Sequence, residues 1–208
     1  MREVLIKNKE ILERLDGFID TINSMDIGYI QRRIKQRGDK HKHYATSKEY
    51  LNYILEKTKK KEFRGPPEIA KLFDLCNNYD IAKDWQDLMK DVSFTFAQEL
   101  GAQQNALFCY YPEDGYIGWH DNRDAPGYTV LFNWSKGGDA FYRYRDWKTG
   151  KIHTIKDRPG WTCKTGWYGP GQESTFHCAM TNEPRWSIAF YMRNETMRDQ
   201  LVEEIESE

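Results

Sequence analysis

The chain has 208 residues, of which 39% are hydrophobic and 14% aromatic, so it can build a sizeable core and is not a disordered chain, even with 30% charged residues. No run approaches the roughly 20 apolar residues of a membrane span, and the opening MREVLIKNKEILERLDGF mixes charges where a signal peptide would hold an unbroken apolar block; a soluble, cytoplasmic protein is expected. The net charge of −1 hides an asymmetry: residues 30–64 hold twelve Lys/Arg against four acids, a segment charge of +8 that leaves −9 elsewhere, so this stretch is either a solvated helix face or a surface for nucleic acid or an acidic protein.

In chain order, residues 1–100 read mainly as helices, because apolar residues recur at three- and four-residue steps. Val4, Leu5, Ile11, Leu12, Leu15, Ile19 and Ile22 mark the first stripe, and Tyr50, Tyr53 and Ile54 a later one that Ser47 can start. Arg64-Gly65-Pro66-Pro67-Glu68 predicts a helix beginning near Pro67 and carrying Ile69, Leu72 and Phe73; Asp84 to Leu100 predicts another. After Gly101 the texture changes to short runs rich in aromatic and β-branched residues, with Gly/Pro turns at about ten-residue spacing. Strands are predicted near 105–111, 115–120, 127–134, 139–145, 151–156, 160–167, 173–179 and 185–193. Asn194 can cap a final helix with Met197, Leu201, Val202 and Ile205 as its stripe. The expected fold is α+β, a jelly roll of about eight strands in residues 101–208, with residues 1–100 as a helical layer packed on the barrel and a short C-terminal helix.

Four cysteines, Cys76, Cys109, Cys163 and Cys178, show no CxxC spacing, so reduced thiols are expected rather than a disulfide framework or a zinc cage. Of five histidines, His120 and His177 lie in strand-like segments beside turns, whereas His41, His43 and His153 read as solvated surface residues. Imidazole suits first-row transition metals, and two His with one carboxylate on one face leave coordination positions open. Residues i and i+2 of a strand share a face, which makes position 122 the expected third ligand; it holds Asn, with Asp121 and Asp124 as neighbouring acids. Eight residues after His177, the strand-like RWSIAFYMR puts Arg185 and Ser187 on one face, and an Arg fork with a hydroxyl beside it grips a carboxylate. Trp119, Trp134, Trp161 and Trp167 either wall a pocket or fill the barrel, and Cys178 should face away from His177.

These segments, GWHDNRDAPGY, GGDAFYRYRDWKTG, RPGW and FHCAMTNEPRWS, resemble the iron(II)- and 2-oxoglutarate-dependent oxygenase superfamily, in its prolyl-hydroxylase-like branch, and are most similar to the oxygenases of tailed phages, especially of marine hosts. The resemblance covers about residues 105–193. It implies a double-stranded β-helix in which His120 and His177 bind Fe(II). Asn122 stands at the usual carboxylate position, with Asp121 or Asp124 as its substitutes. Arg185 takes the distal carboxylate of 2-oxoglutarate and Ser187 assists, while Tyr110, Tyr111 and Asn133 sit where related enzymes hold 2-oxoglutarate or substrate. It further implies a dioxygenase that couples decarboxylation of 2-oxoglutarate, with O2, to oxidation of a C–H bond in a protein side chain, a nucleotide or a small molecule. For a phage protein the compartment would be the host cytoplasm. Two alternatives stand beside it: a catalytically degenerate binding or structural protein on the same fold, and a nucleic-acid-modifying oxygenase that uses the basic 30–64 region.

Overall fold

The computed structural model describes the chain except residues 39–40, 61–66, 79, 123–125 and 171–172. Its first hundred residues hold strand β1 (Arg2–Val4), helix α1 (Lys9–Asn23), helix α2 (Ile27–Gln31), strand β2 (Lys35–Arg37), helices α3 (Lys42–Ala45) and α4 (Lys48–Lys59), strand β3 (Ala70–Asp74) and helix α5 (Lys83–Lys90). A π-helical segment (Asp91–Phe96) and helix α6 (Ala97–Glu99) continue α5 without a break. Side-chain caps set two of these starts: Asn8 accepts the Ile11 N–H at 3.1 Å and Ser47 accepts the Tyr50 N–H at 3.0 Å.

The helix expected from Pro67 is not formed; Ala70–Asp74 is a strand. Its buried positions, Ala70 and Phe73, are three apart and imitate a helical stripe, and in so short a run periodicity cannot separate the two states. Pairing decides. β3 meets β4 through Phe73 and Asp74, β5 through Ala70 and Lys71, and β2 along Ala70–Leu72. The first hundred residues are therefore not all helical, since β1 and β3 complete the sheets of the second half.

That second half contains β4 (Gln104–Tyr111), β5 (Tyr116–His120), β6 (Gly127–Ser135), β7 (Ala140–Arg145), β8 (Ile152–Lys156), β9 (Gly160–Tyr168), β10 (His177–Thr181) and β11 (Arg185–Met192), then helix α7 (Glu195–Glu206), capped by Asn194 on the Met197 N–H at 2.9 Å. The expected strand at 173–179 begins only at His177. All ladders are antiparallel, in the order β1-β9-β6-β11-β4-β3-β5-β10-β7-β8, with β2 on β3. β3 joins a large layer (β1-β9-β6-β11-β4) to a small one (β5-β10-β7-β8), giving a nearly closed, jelly-roll-like sandwich with helices outside.

Strand alternation sorts the side chains. The outer face of the large layer presents Phe108, Phe132, Trp186, Ile188 and Phe190 to Phe18 of α1, Trp85 of α5, Phe96 and Ile205 of α7 in one apolar cluster. Removing a side chain of this size from water contributes about 1.5–3 kcal/mol, so this face carries much of the stability. A smaller cluster packs Tyr50, Leu51 and Ile54 of α4 on Trp119, Cys178 and Met180 outside the small layer. Between the layers the apolar cluster is slight, comprising Leu131, Tyr142, Ala179 and Ala189. Half-buried Leu107, Ile117 and Tyr144 pack against it, and polar side chains such as Asn133, Ser187 and Arg185 are buried beside them.

Candidate active site

His120 ends β5 and His177 begins β10, and the two are direct partners in that ladder. Between His120 and Ile117 the β5 strand carries one residue more than β10 does between His177 and Ala179, a bulge that lets both His120 and Ile117 face inward. Gly118 at the bulge is required by space: a Cβ there would lie 2.7 Å from Ile69 Cγ1 and 2.9 Å from Ile69 O. The imidazole centroids are 4.1 Å apart. His120 Nδ1 meets the Gly118 carbonyl at 2.8 Å and His177 Nδ1 meets the Thr175 carbonyl at 3.0 Å. With the proton on each Nδ1, each Nε2 keeps its lone pair, the arrangement of a histidine that ligates a metal through Nε2. Burial pushes both rings toward the neutral form, His120 down to about 4 and His177 well below its ordinary value, where His120 adds to the effect of burial. Tyr142 and Tyr168 flank His177, with their hydroxyls 2.5 Å apart.

On the inner face of the large layer, Arg185 and Ser187 of β11 are opposite Ser135 and Asn133 of β6 and Tyr111 and Cys109 of β4. Arg185 donates through Nε to Asp157 Oδ2 at 2.7 Å, through Nη1 to Ser187 Oγ at 2.7 Å and through Nη2 to Asn133 Oδ1. Ser187 Oγ also donates to Asn133 Oδ1 at 3.0 Å. Lys164 of β9 donates to Asp157 Oδ1 at 2.7 Å and to Thr162 Oγ1 at 3.2 Å. The side chains of Arg185 and Asp157 are 1% exposed and that of Lys164 is 0% exposed. Burial alone would raise Asp157, but Arg185 and Lys164 hold its carboxyl down at about 2; burial also lowers Lys164. Two cations thus share one carboxylate in a dry interior, a surplus of positive charge that favours an anion.

Of the residues singled out in the sequence, His120 and His177 come together, as do Arg185, Ser187 and Asn133. Tyr111 lies under the Arg185 guanidinium, 5.2 Å from its ring centroid. Tyr110 is on the opposite face, packed on Trp186 with its hydroxyl accepting from Gln31 at 3.1 Å. Asn122 is half-buried beside His120. Asp121 is buried, and among the described residues no third His, Cys, Asp or Glu joins the pair; Asp124 lies outside the described residues. Trp119 packs in the cluster outside the small layer, and Trp134 and Trp161 face the helices. Trp167, two residues along β9 from Thr165 and four from Cys163, shares their outward side and packs at a tilt against Tyr128.

A cleft of about 800 Å³ reaches His120, with Asp121 and Asn122 also in its wall and Arg33, Lys35 and Arg37 lining it. The basic region is thus divided. Lys42 turns inward onto Asp114 and Asn182, Lys57 pairs with Glu68 and Lys59 with Glu56, while Arg33, Lys35 and Arg37 line the cleft. No helix among the described residues is long and apolar enough to cross a membrane.

Asp157, Lys164, Tyr142 and Tyr168 went unmarked in the sequence. The available signal is the alternation in Trp161-Thr162-Cys163-Lys164, where polar residues occupy the positions between apolar ones and therefore face the barrel interior.

No protein-family model matches the chain, and no curated protein does. Solved structures similar to it include a prolyl-4-hydroxylase from Pseudomonas putida, at 12% identity over 86% of this chain and 99% of that one, TM-score 0.36. A prolyl hydroxylase from Trichoplax adhaerens, solved with a hypoxia inducible factor oxygen degradation domain peptide fragment, is 13% identical over 92% of this chain and 94% of that one, TM-score 0.37. The rice dioxygenase for auxin oxidation is 14% identical over 88% and 69%, TM-score 0.37.

Proposed function

We propose that this protein is an iron(II)- and 2-oxoglutarate-dependent oxygenase of the prolyl-hydroxylase-like type, built on a double-stranded β-helix. The observation that carries the reading is the buried pair of cations, Arg185 and Lys164, sharing the single carboxylate of Asp157 on the same barrel interior that holds two adjacent buried histidines, each with Nδ1 on a backbone carbonyl. That donor set suits a first-row divalent metal, and the surplus positive charge suits the carboxylate of a co-substrate. His120 and His177 would hold the metal, with the Asn122 carbonyl as a third, neutral donor. When bound, iron with 2-oxoglutarate and O2 supplies C–H oxidation, giving succinate, CO2 and one hydroxyl on the substrate.

The chain's own residues bind and orient. Arg185 presents N–H groups beyond those given to Asp157, Ser187 and Asn133, and Asp157 fixes the plane of the guanidinium. Ser187 and Tyr111 border the same anion position, and the phenols of Tyr142 and Tyr168, kept neutral by burial, close the interior beside His177. Anaerobic addition of Fe(II) and then 2-oxoglutarate tests the reading. A weak visible charge-transfer band should appear with wild-type protein, and Arg185→Ala should raise the 2-oxoglutarate concentration it requires about tenfold to a hundredfold. No band, together with no Mn(II)-dependent binding of 2-oxoglutarate, overturns it.

A second reading, a binding protein that keeps the pocket without oxidation, is favoured by one observation: position 122, in the cleft wall with His120, holds the neutral amide of Asn122. A band that appears only after Asn122→Asp selects this reading.

A further inference from the structure

The cleft that leads to His120 has a polarity of its own. Arg33 is half-buried with its guanidinium 4.5 Å over the Tyr29 ring and donates to the Asp80 carbonyl at 2.6 Å, so one face of it is already fixed. Lys35 and Arg37 are exposed at alternate positions of β2, on one side of the strand, and neither forms an ion pair with a described residue. Two guanidinium forks and an ammonium at one lip make a receptor for a phosphate rather than for a neutral group.

The wall beyond that lip is different. Asn77 and Asn78 line it, and each donates one amide N–H to Asp74 while keeping a second N–H and a carbonyl oxygen, so this lining offers both donors and acceptors. Leu72 and Ile117 add apolar surface to the same cleft. A group entering this part meets amide donors and acceptors beside apolar side chains, which suits the mixed hydrogen-bonding edge and flat body of a nucleobase.

We propose that the cleft receives a nucleotide unit, its phosphate held by Arg33, Lys35 and Arg37 and its base directed past Asn77 and Asn78 toward His120. A volume of about 800 Å³ accommodates one such unit. The unit is either a free nucleotide or one residue of a single strand, since phosphate and base are common to both. Only the step from ligand to substrate rests on the oxygenase reading; the binding does not.

The test uses full-length, metal-free protein and the fluorescence anisotropy of a labelled oligothymidylate at about 50 mM salt. Saturable binding is expected, with log K falling against log salt at a slope of about −0.7 for one phosphate neutralised on a single strand. Arg33→Ala/Lys35→Ala/Arg37→Ala should weaken binding at least about tenfold and flatten the slope. Lys48→Ala/Lys60→Ala, at exposed positions of the same basic region outside the cleft, should leave both unchanged. Displacement by thymidine monophosphate identifies the free nucleotide as a ligand; displacement by unlabelled oligothymidylate alone identifies the strand. The proposal is overturned by absent binding, by equal loss in the two variants, or by displacement with polyglutamate as efficient as with oligothymidylate. A charge-transfer band in protein that binds no oligonucleotide removes only this proposal, and oligonucleotide binding without the band removes only the oxygenase reading.

Discussion

On β11, Trp186, Ile188 and Phe190 point at the helices, while Arg185, Ser187 and Ala189 of the same eight-residue strand point into the barrel. The outer face is a continuous apolar layer that includes Phe108, Phe132 and Trp85; the inner face is a hydrogen-bonded group of Asn133, Ser187, Arg185, Asp157 and Lys164. Both faces are buried, but for opposite physical reasons. The outer one is dry because apolar area leaves water, and the inner one stays charged only because its ions satisfy one another. One face holds the fold together, and the other holds the proposed site.

Breaking the inner group should have the largest effect. Asp157→Ala leaves Arg185 and Lys164 buried without their carboxylate and should destabilise the protein by about 3–5 kcal/mol, read from urea denaturation; a loss below about 1 kcal/mol would mean the interior admits water. Acid should break the same contact reversibly. The folded carboxyl, at about 2, lies below its ordinary value of 3.8, so the unfolded chain binds the proton first. Its stabilisation is therefore complete above about pH 4 and is lost as pH falls toward 2, an increment of about 2 kcal/mol that Asp157→Asn should lack. On the other face, Phe190→Leu should cost about 1 kcal/mol and leave 2-oxoglutarate affinity unchanged. If instead it weakened the ligand as much as the fold, the separation of the two faces would fail.

How much of this was legible in the sequence follows from the same alternation. The strands after Gly101 were readable because turns punctuate them and because each ladder repeats one period. β3 was not, since five residues with Ala70 and Phe73 buried fit a helix equally well until β4 and β5 are in place to pair with them. Arg185, Ser187 and His177 lie within one stretch and were recognisable together. Lys164 and Asp157 join them only through the β9–β6–β11 register, which no local spacing encodes. Tyr110 and Tyr111 show the limit in its simplest form. Adjacent residues of one type, they face opposite ways, and only the pairing with Arg185 assigns Tyr111 to the interior.

The central claim is that the polar interior is one site, with a metal at the histidine pair and a carboxylate at Arg185. Diffraction from crystals soaked with Mn(II) and N-oxalylglycine, collected to locate manganese by its anomalous signal, tests it most directly. The account predicts one manganese bound by Nε2 of His120 and Nε2 of His177, with the distal carboxylate of the analogue on Arg185. Manganese bound elsewhere, or an analogue that leaves Arg185 and Ser187 untouched while the histidines stay metal-free, would contradict it.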